Sequence, residues 1–136
     1  MLKTSSPEID YFAPEVFSTL AFSQIARAGD TVYLSGVAPL KGGLTDMVLV
    51  GEGDMASQVA FVLRVIDDCL KSEGLTRKNL ASWTFYTTDI AGFMTALEAV
   101  IGPWLGDHHP CSTTIAVSGF VHPAQLVEIT AIAVTS

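Results

Sequence analysis

Glu128 stands among apolar and β-branched residues in the run Val127-Glu128-Ile129-Thr130-Ala131-Ile132-Ala133-Val134. A carboxylate inside such a strand is costly unless it is paired or used. As a working group it suits one chemistry well: a base that orients or activates a water for attack on an electrophilic carbon. The competing reading is structural, either an acid bonded to backbone N–H groups or an edge-strand side chain turned to water. Upstream, hydroxyls gather at Ser112, Thr113 and Thr114. Hydroxyls in a strand are most simply β-formers. No Ser-His-Asp order with a nucleophile elbow accompanies them, so covalent catalysis is not expected. His108-His109 and His122 read as loop histidines. No Cys or acid falls at ligand spacing beside them, so neither a metal nor another cofactor is expected. Cys69 and Cys111 form no CxxC pair. Cys111 reads as a small buried hydrophobe, with a reactive thiol as the alternative, and Cys69 as helix packing.

The background to these residues is acidic and poor in charge. Seven Lys and Arg stand against 14 Asp and Glu, a formal charge of −7. That field opposes phosphate backbones and acidic lipid surfaces, so neither nucleic acid nor membrane is an expected partner. It also repels small anions unless a local cation holds them. Charged residues make up 15% of the chain, against about 25% in ordinary globular proteins. A domain of this size then lacks polar surface to cover itself, which points to an apolar face buried against further copies of the chain. The cysteine usage and the absence of an N-terminal apolar core segment lead to the expectation of a reducing, cytoplasmic location.

Residues 1–20, with Pro7 and Pro14, read as an irregular lead-in, and 21–136 as one domain. Ala21–Ala28 and Thr31–Ala38 read as strands joined by Gly29-Asp30, a hairpin junction. A loop at Gly42-Gly43 and a short strand at Met47–Val50 follow. Asp54 suits a helix N-cap, with Met55, Val59, Val62, Leu63, Ile66 and Leu70 on one face and Gly74 as the stop. Ala81–Thr87 is aromatic and Thr-rich, hence a strand. Asp89 caps a second helix, which Gly102-Pro103 should end or kink. Ser112–Val117 and Leu126–Val134 close the chain as strands. Trp83 and Trp104 read as core or interface anchors. The expected fold is α/β in the α+β sense: one mixed sheet with two helices on one face and the other face bare in a single copy.

Four fragments in order resemble one known family. They are Phe22–Gly36 (FSQIARAGDTVYLSG), the helix end at Gly74-Leu75, Tyr86–Ile90 (YTTDI), and the pair PCSTTIAV and VEITAIAV. They are similar to the RidA, or YjgF, family of reactive-intermediate deaminases, from about Phe22 to Val134. The resemblance implies a chorismate-mutase-like fold, a homotrimer with ligand clefts between subunits, and hydrolysis of reactive 2-imino or 2-aminoacrylate-type acids to 2-oxo acids and ammonia. It implies Glu128 as the catalytic residue. It also implies substrate contacts from Phe22, Ser35, Gly36, Ser112, Thr113 and Thr114. The chain departs from the family pattern in three places. Phe22 stands where a Tyr is usual, Val37 where Gln is frequent, and Ser112 where deaminating members carry an arginine.

An arginine there would grip a substrate carboxylate in a two-pronged pair. Its loss should weaken such binding by about ten- to a few hundred-fold. Two functions follow from these residues. One is a deaminase or hydrolase acting on a small enamine, imine or related metabolite, with 2-imino acid turnover weakened. The other is a trimeric metabolite-binding or pathway-assisting protein without catalysis. Ribonuclease activity, also attached to the family, fits the acidic charge least.

Overall fold

The computed structural model describes all 136 residues. Eight strands and four α-helical segments occur in chain order. They are β1 (Leu2–Ser5), α1 (Pro14–Leu20), β2 (Ile25–Ala28), β3 (Thr31–Val37), β4 (Leu40–Lys41), β5 (Val48–Leu49), α2 (Met55–Ser72), β6 (Leu80–Thr87), α3 (Ile90–Ala96), α4 (Gly102–Leu105), β7 (Cys111–Ala116) and β8 (Val127–Val134). Six strands form one sheet in the order β1-β2-β3-β8-β6-β7, while β4 and β5 pair separately. Every contact in the large sheet is antiparallel except β6 with β7. This is the mixed α+β arrangement expected.

The lead-in is not irregular. β1 extends the sheet by pairing with β2, Leu2 opposite Ala28 and Ser5 opposite Ile25. Four exposed residues carry no hydrophobic alternation, so only the open edge of β2 makes them a strand. α1 opens on Pro14, whose fixed φ suits a first turn, and closes on Ala21 in the left-handed region at φ 59°. That turn delivers Phe22 back toward α1, its N–H donating to Phe17 O at 3.1 Å.

α2 supplies the core's ridge. Val59, Val62, Leu63, Ile66 and Leu70 are buried and share one cluster with Val32, Leu34, Phe85, Ile129 and Ala131. Each such side chain stabilises the fold by about 1.5–3 kcal/mol relative to exposure. Asp54 does precede α2, but its carboxylate accepts from Ser57 Oγ at 2.7 Å instead of a backbone N–H. Gly74, at φ 74°, ends the helix, and Leu75 N–H reaches back to Leu70 O at 2.8 Å.

Gly102-Pro103 neither stops the second helix nor leaves it regular. α3 passes through a π turn at Leu97–Ile101 before α4 resumes the α-helix. Pro103 has no N–H for the α ladder, and the wider turn absorbs that defect. Trp83 is buried in the core, and Trp104 stacks on it from α4 with ring centroids 5.9 Å apart.

The helices cover one sheet face. Strand alternation and register put Tyr33, Ser82, Thr84, Tyr86, Glu128, Thr130 and Ile132 on the other. Tyr33 is 46% exposed there. The bare face is thus rich in hydroxyls with scattered apolar groups, and Glu128 is the one charge that β3, β8, β6 and β7 place on it.

Candidate functional site

β8 lies between β3 and β6, and Glu128 occupies its first turn of register, opposite Tyr86. On the other side β3 bulges. Leu34 pairs with Ala131 and Val37 with Ile129, so Ser35 and Gly36 together face a single residue of β8. The bulge brings the backbone of Gly36 against the carboxylate. A Cβ at Gly36 would lie 2.6 Å from Glu128 Oε2. Glycine is therefore required here for close approach, not for an unusual φ. Ser35 Oγ donates to Ser23 O at 2.6 Å, which ties the bulge to the segment leading into β2.

Above this floor is a cleft of about 440 Å³. Phe22, Phe12, Leu20, Leu40 and Met47 wall one side; Val121, His122, Pro123 and Gln125 wall the other. The aromatic side is preassembled: Phe22 packs on Phe17 with centroids 4.9 Å apart, and Phe12 stacks on Tyr11 at 4.1 Å. Tyr11 is 4% exposed, and its hydroxyl oxygen accepts the Ala38 N–H at 3.0 Å.

The 118–125 wall is held by α2. Gln58, buried in that helix, donates through Nε2 to Gly51 O (3.2 Å) and Ala124 O (3.3 Å) and accepts from Leu126 N–H (2.8 Å). Gln125 in turn donates to Val127 O at 3.1 Å and to Glu128 Oε1 at 3.3 Å. His122 accepts the Ala124 N–H through Nδ1 at 3.0 Å.

Burial raises the Glu128 pKa above the ordinary carboxylate value, and the Gln125 amide opposes that rise. Burial likewise raises the Tyr11 phenol, reinforced by the Glu128 charge, so Tyr11 stays protonated. No Lys or Arg lines the cleft. The arginines are engaged elsewhere: Arg27 with Glu73 (3.1 Å), Arg64 with Asp68 (2.7 Å), Arg77 with Asp67 (2.7 Å). Arg27, which could in principle replace the missing family arginine, is thus tied to the end of α2. A larger depression of about 720 Å³ lies around Asp67, Lys71, Arg77 and Trp104. Arg77 there is satisfied by Asp67 and by the Trp104 ring, 4.2 Å from its Cζ, which leaves little for a ligand to recognise.

Of the residues singled out in the sequence, Phe22, Ser35, Gly36 and Glu128 meet in this cleft. Ser112, Thr113 and Thr114 do not join them within one chain. They lie exposed on the edge strand β7, with β6 between it and β8. Ser112 pairs in register with Trp83 and Glu128 with Tyr86, which separates them by roughly 14 Å along and across the sheet. Ser112 Oγ accepts from Trp83 Nε1 at 2.7 Å and donates to Pro110 O at 3.1 Å. Cys111 is exposed at the start of β7, not buried, because no element covers that edge. Cys69 is buried in α2, its thiol pushed up to about 12.

The sequence reading missed Tyr11, Gln58, Gln125 and His122 as parts of the site. Tyr11 fell in the supposed lead-in. Gln58 carried a signal in plain view: a long polar side chain on the apolar face of a helix needs partners.

A half-buried carboxylate on the floor of an aromatic cleft, set in a mixed sheet with helices on one face, accompanies an α+β fold of the YjgF type. The chain belongs to the Endoribonuclease L-PSP family, whose model matches residues 13–135. It is 28% identical over 111 residues to a RutC family protein of Sulfurisphaera tokodaii, covering 82% of this chain and 85% of that one. Among solved structures it is similar to Rv2704 of Mycobacterium tuberculosis, a member of the YjgF/YER057c/UK114 family. That match has 25% identity, a TM-score of 0.79 and coverage of 98% and 99%. The Rid-family protein YyfA of Yersinia pestis, of unknown function, matches at 27% identity and TM-score 0.73 over 83% of this chain and 86% of that one.

Proposed function

We propose that the chain hydrolyses a small enamine or imine in the Glu128 cleft, and that the cleft is completed by β7 of a neighbouring copy in a cytoplasmic homotrimer. In that assembly Ser112, Thr113 and Thr114 would approach Glu128 across the subunit boundary. The observation that carries the reading is the carboxylate itself: half-buried, raised in pKa, and fixed by Gln125 as the one charged group on the cleft floor. A base of raised pKa takes a proton from water more readily at neutral pH. The water oxygen adds to the imine carbon as Glu128 accepts its proton. The proton passes to the nitrogen, giving a carbinolamine; Glu128 then carries the hydroxyl proton to the same nitrogen as the C–N bond breaks, so that ammonia leaves and the C=O of the oxo product forms. An enamine enters the same route after protonation at carbon. The bare face supports the trimer, since Glu128 is the one charged group on β3, β8, β6 and β7 whose desolvation would oppose covering it.

Small 2-imino acids are poor candidates. With no Lys or Arg in the cleft or on β7, nothing offsets a substrate carboxylate beside Glu128. The test compares an amino-acid-oxidase-generated 2-imino acid with an uncharged enamine, following oxo product and ammonia. The reading expects turnover of the uncharged substrate, its loss in Glu128→Gln, and gain of 2-imino acid turnover in Ser112→Arg. A wild-type rate on 2-imino acids matching an arginine-bearing family member would overturn the substrate assignment.

The same lack of a cation favours a second reading, a non-catalytic metabolite-binding trimer, which holds if no enamine or imine is turned over. The ribonuclease activity in the family's name has little support here. The formal charge is −7, and each arginine is held by a carboxylate.

A further inference from the structure

The Tyr11 hydroxyl makes one hydrogen bond within the chain, as acceptor of the Ala38 N–H. Its own proton has no acceptor in the protein, although the ring is 4% exposed and lines the cleft with Glu128. Both groups line the cleft without bonding each other. A phenol held neutral in this way is a donor toward something that enters the cleft.

The walls define the rest of that ligand. Phe12, Leu20, Phe22 and Met47 offer apolar and aromatic surface. At about 440 Å³, the cleft lies within the range that encloses bodies larger than a few carbons. Its charge is of one sign. Glu128 is the sole acid, no Lys or Arg is present, and the Nδ1 of His122 is taken up by the Ala124 N–H. The strand expected to close the cleft, Cys111–Ala116, brings no cation either.

We propose that the cleft selects an uncharged ligand with an aromatic or branched apolar body and one hydrogen-bond acceptor, recognised by the phenol proton of Tyr11. The proposal rests on the Glu128 cleft being the ligand site. It narrows the substrate class from small imines in general to uncharged imines or carbonyl-like compounds with a bulky apolar group. Tyr11 thereby supplies from the N-terminal segment the hydroxyl that Phe22 lacks.

The probes are benzamide, benzoate and toluene, titrated into the full-length chain at neutral pH by NMR. Benzamide is expected to bind at least tenfold more tightly than benzoate. Tyr11→Phe, which keeps the stack on Phe12, should weaken benzamide about five- to tenfold and leave toluene unchanged. Equal affinity for benzoate and benzamide, or no binding of any probe, overturns the proposal. So does an equal loss of benzamide and toluene in Tyr11→Phe, which would mark a structural role. If Tyr11→Phe does not fold, Met47→Lys reads the charge argument alone: it should raise benzoate binding at least tenfold, and an unchanged affinity refutes the selection. None of these measurements requires turnover. Tyr11-dependent benzamide binding without any hydrolysis sinks the catalytic reading alone. Hydrolysis of enamines by a chain that ignores benzamide sinks this one alone.

Discussion

Gly36→Ala isolates the position of the Glu128 carboxylate from the stability of the fold. The added Cβ would stand 2.6 Å from Oε2, 3.0 Å from Cδ and 3.3 Å from Cγ of Glu128. Ordinary contact begins near 3.4 Å, so the carboxylate must retreat by about 0.8 Å. All three obstructing atoms belong to a flexible side chain, and the retreat stretches a bond to Gln125 that is already 3.3 Å long. That loss costs about 1 kcal/mol. Replacing glycine stabilises by about 0.4–1 kcal/mol through the unfolded chain, since φ at 36 is not in the left-handed region. The two effects nearly cancel, and the melting temperature should stay within about 4 °C of wild type. Chemistry is less forgiving: a displacement near 1 Å costs about 100-fold in rate. The assay is kcat/KM for an uncharged enamine beside thermal melting, with the Glu128 carboxyl resonance as a direct reporter of the move. Full activity with a shifted resonance would refute the claim that this carboxylate's position sets the rate. An unshifted resonance would refute the close approach itself.

Glu128→Gln should raise the melting temperature at pH 7, and the advantage should vanish near pH 4. The folded-state pKa of Glu128 lies above its unfolded value of about 4.3, so the native chain loses stability as pH rises through it. A constant difference across that range would contradict the burial argument. Ala21→Gly should stabilise by about 0.5–1 kcal/mol, because Ala21 is the one non-glycine residue at positive φ; unfolding in urea measures it. Gln58→Leu should destabilise by about 3 kcal/mol, leaving Ala124 O and Leu126 N–H without their partner and Gly51 O with the Asp54 N–H alone, and should loosen the His122 wall, visible as faster amide exchange there.

The sheet, α2 and the hairpin were legible because their signals are local. Alternation marks β3 and β8, an apolar stripe marks α2, and Gly29 at φ 59° turns the hairpin. β1 and α1 were not, since their order comes from an open sheet edge and from packing of Phe12 and Phe17, which no window of sequence contains. The site divided the same way. Glu128 is conspicuous as an acid among apolar neighbours, whereas Tyr11 is ordinary in its own segment and matters only through a hydrogen bond 27 residues away. Ser112 shows the reverse: the family resemblance implied a pocket there, but within one chain its partner is Trp83.

Glu128 stands on an inner strand of the sheet, bonded on both edges, while the groups around the ligand space come from the 11–22 segment and the 121–125 turn. Backbone amides in such a strand exchange with solvent only when the whole domain opens, whereas surface segments open locally and often. The reactive group therefore sits in the part of the molecule least able to change. Exposed wall residues such as Leu20 and Val121 can vary in sequence at little cost to folding. Ligand preference in this scaffold can drift wall by wall over a floor that keeps its carboxylate in place.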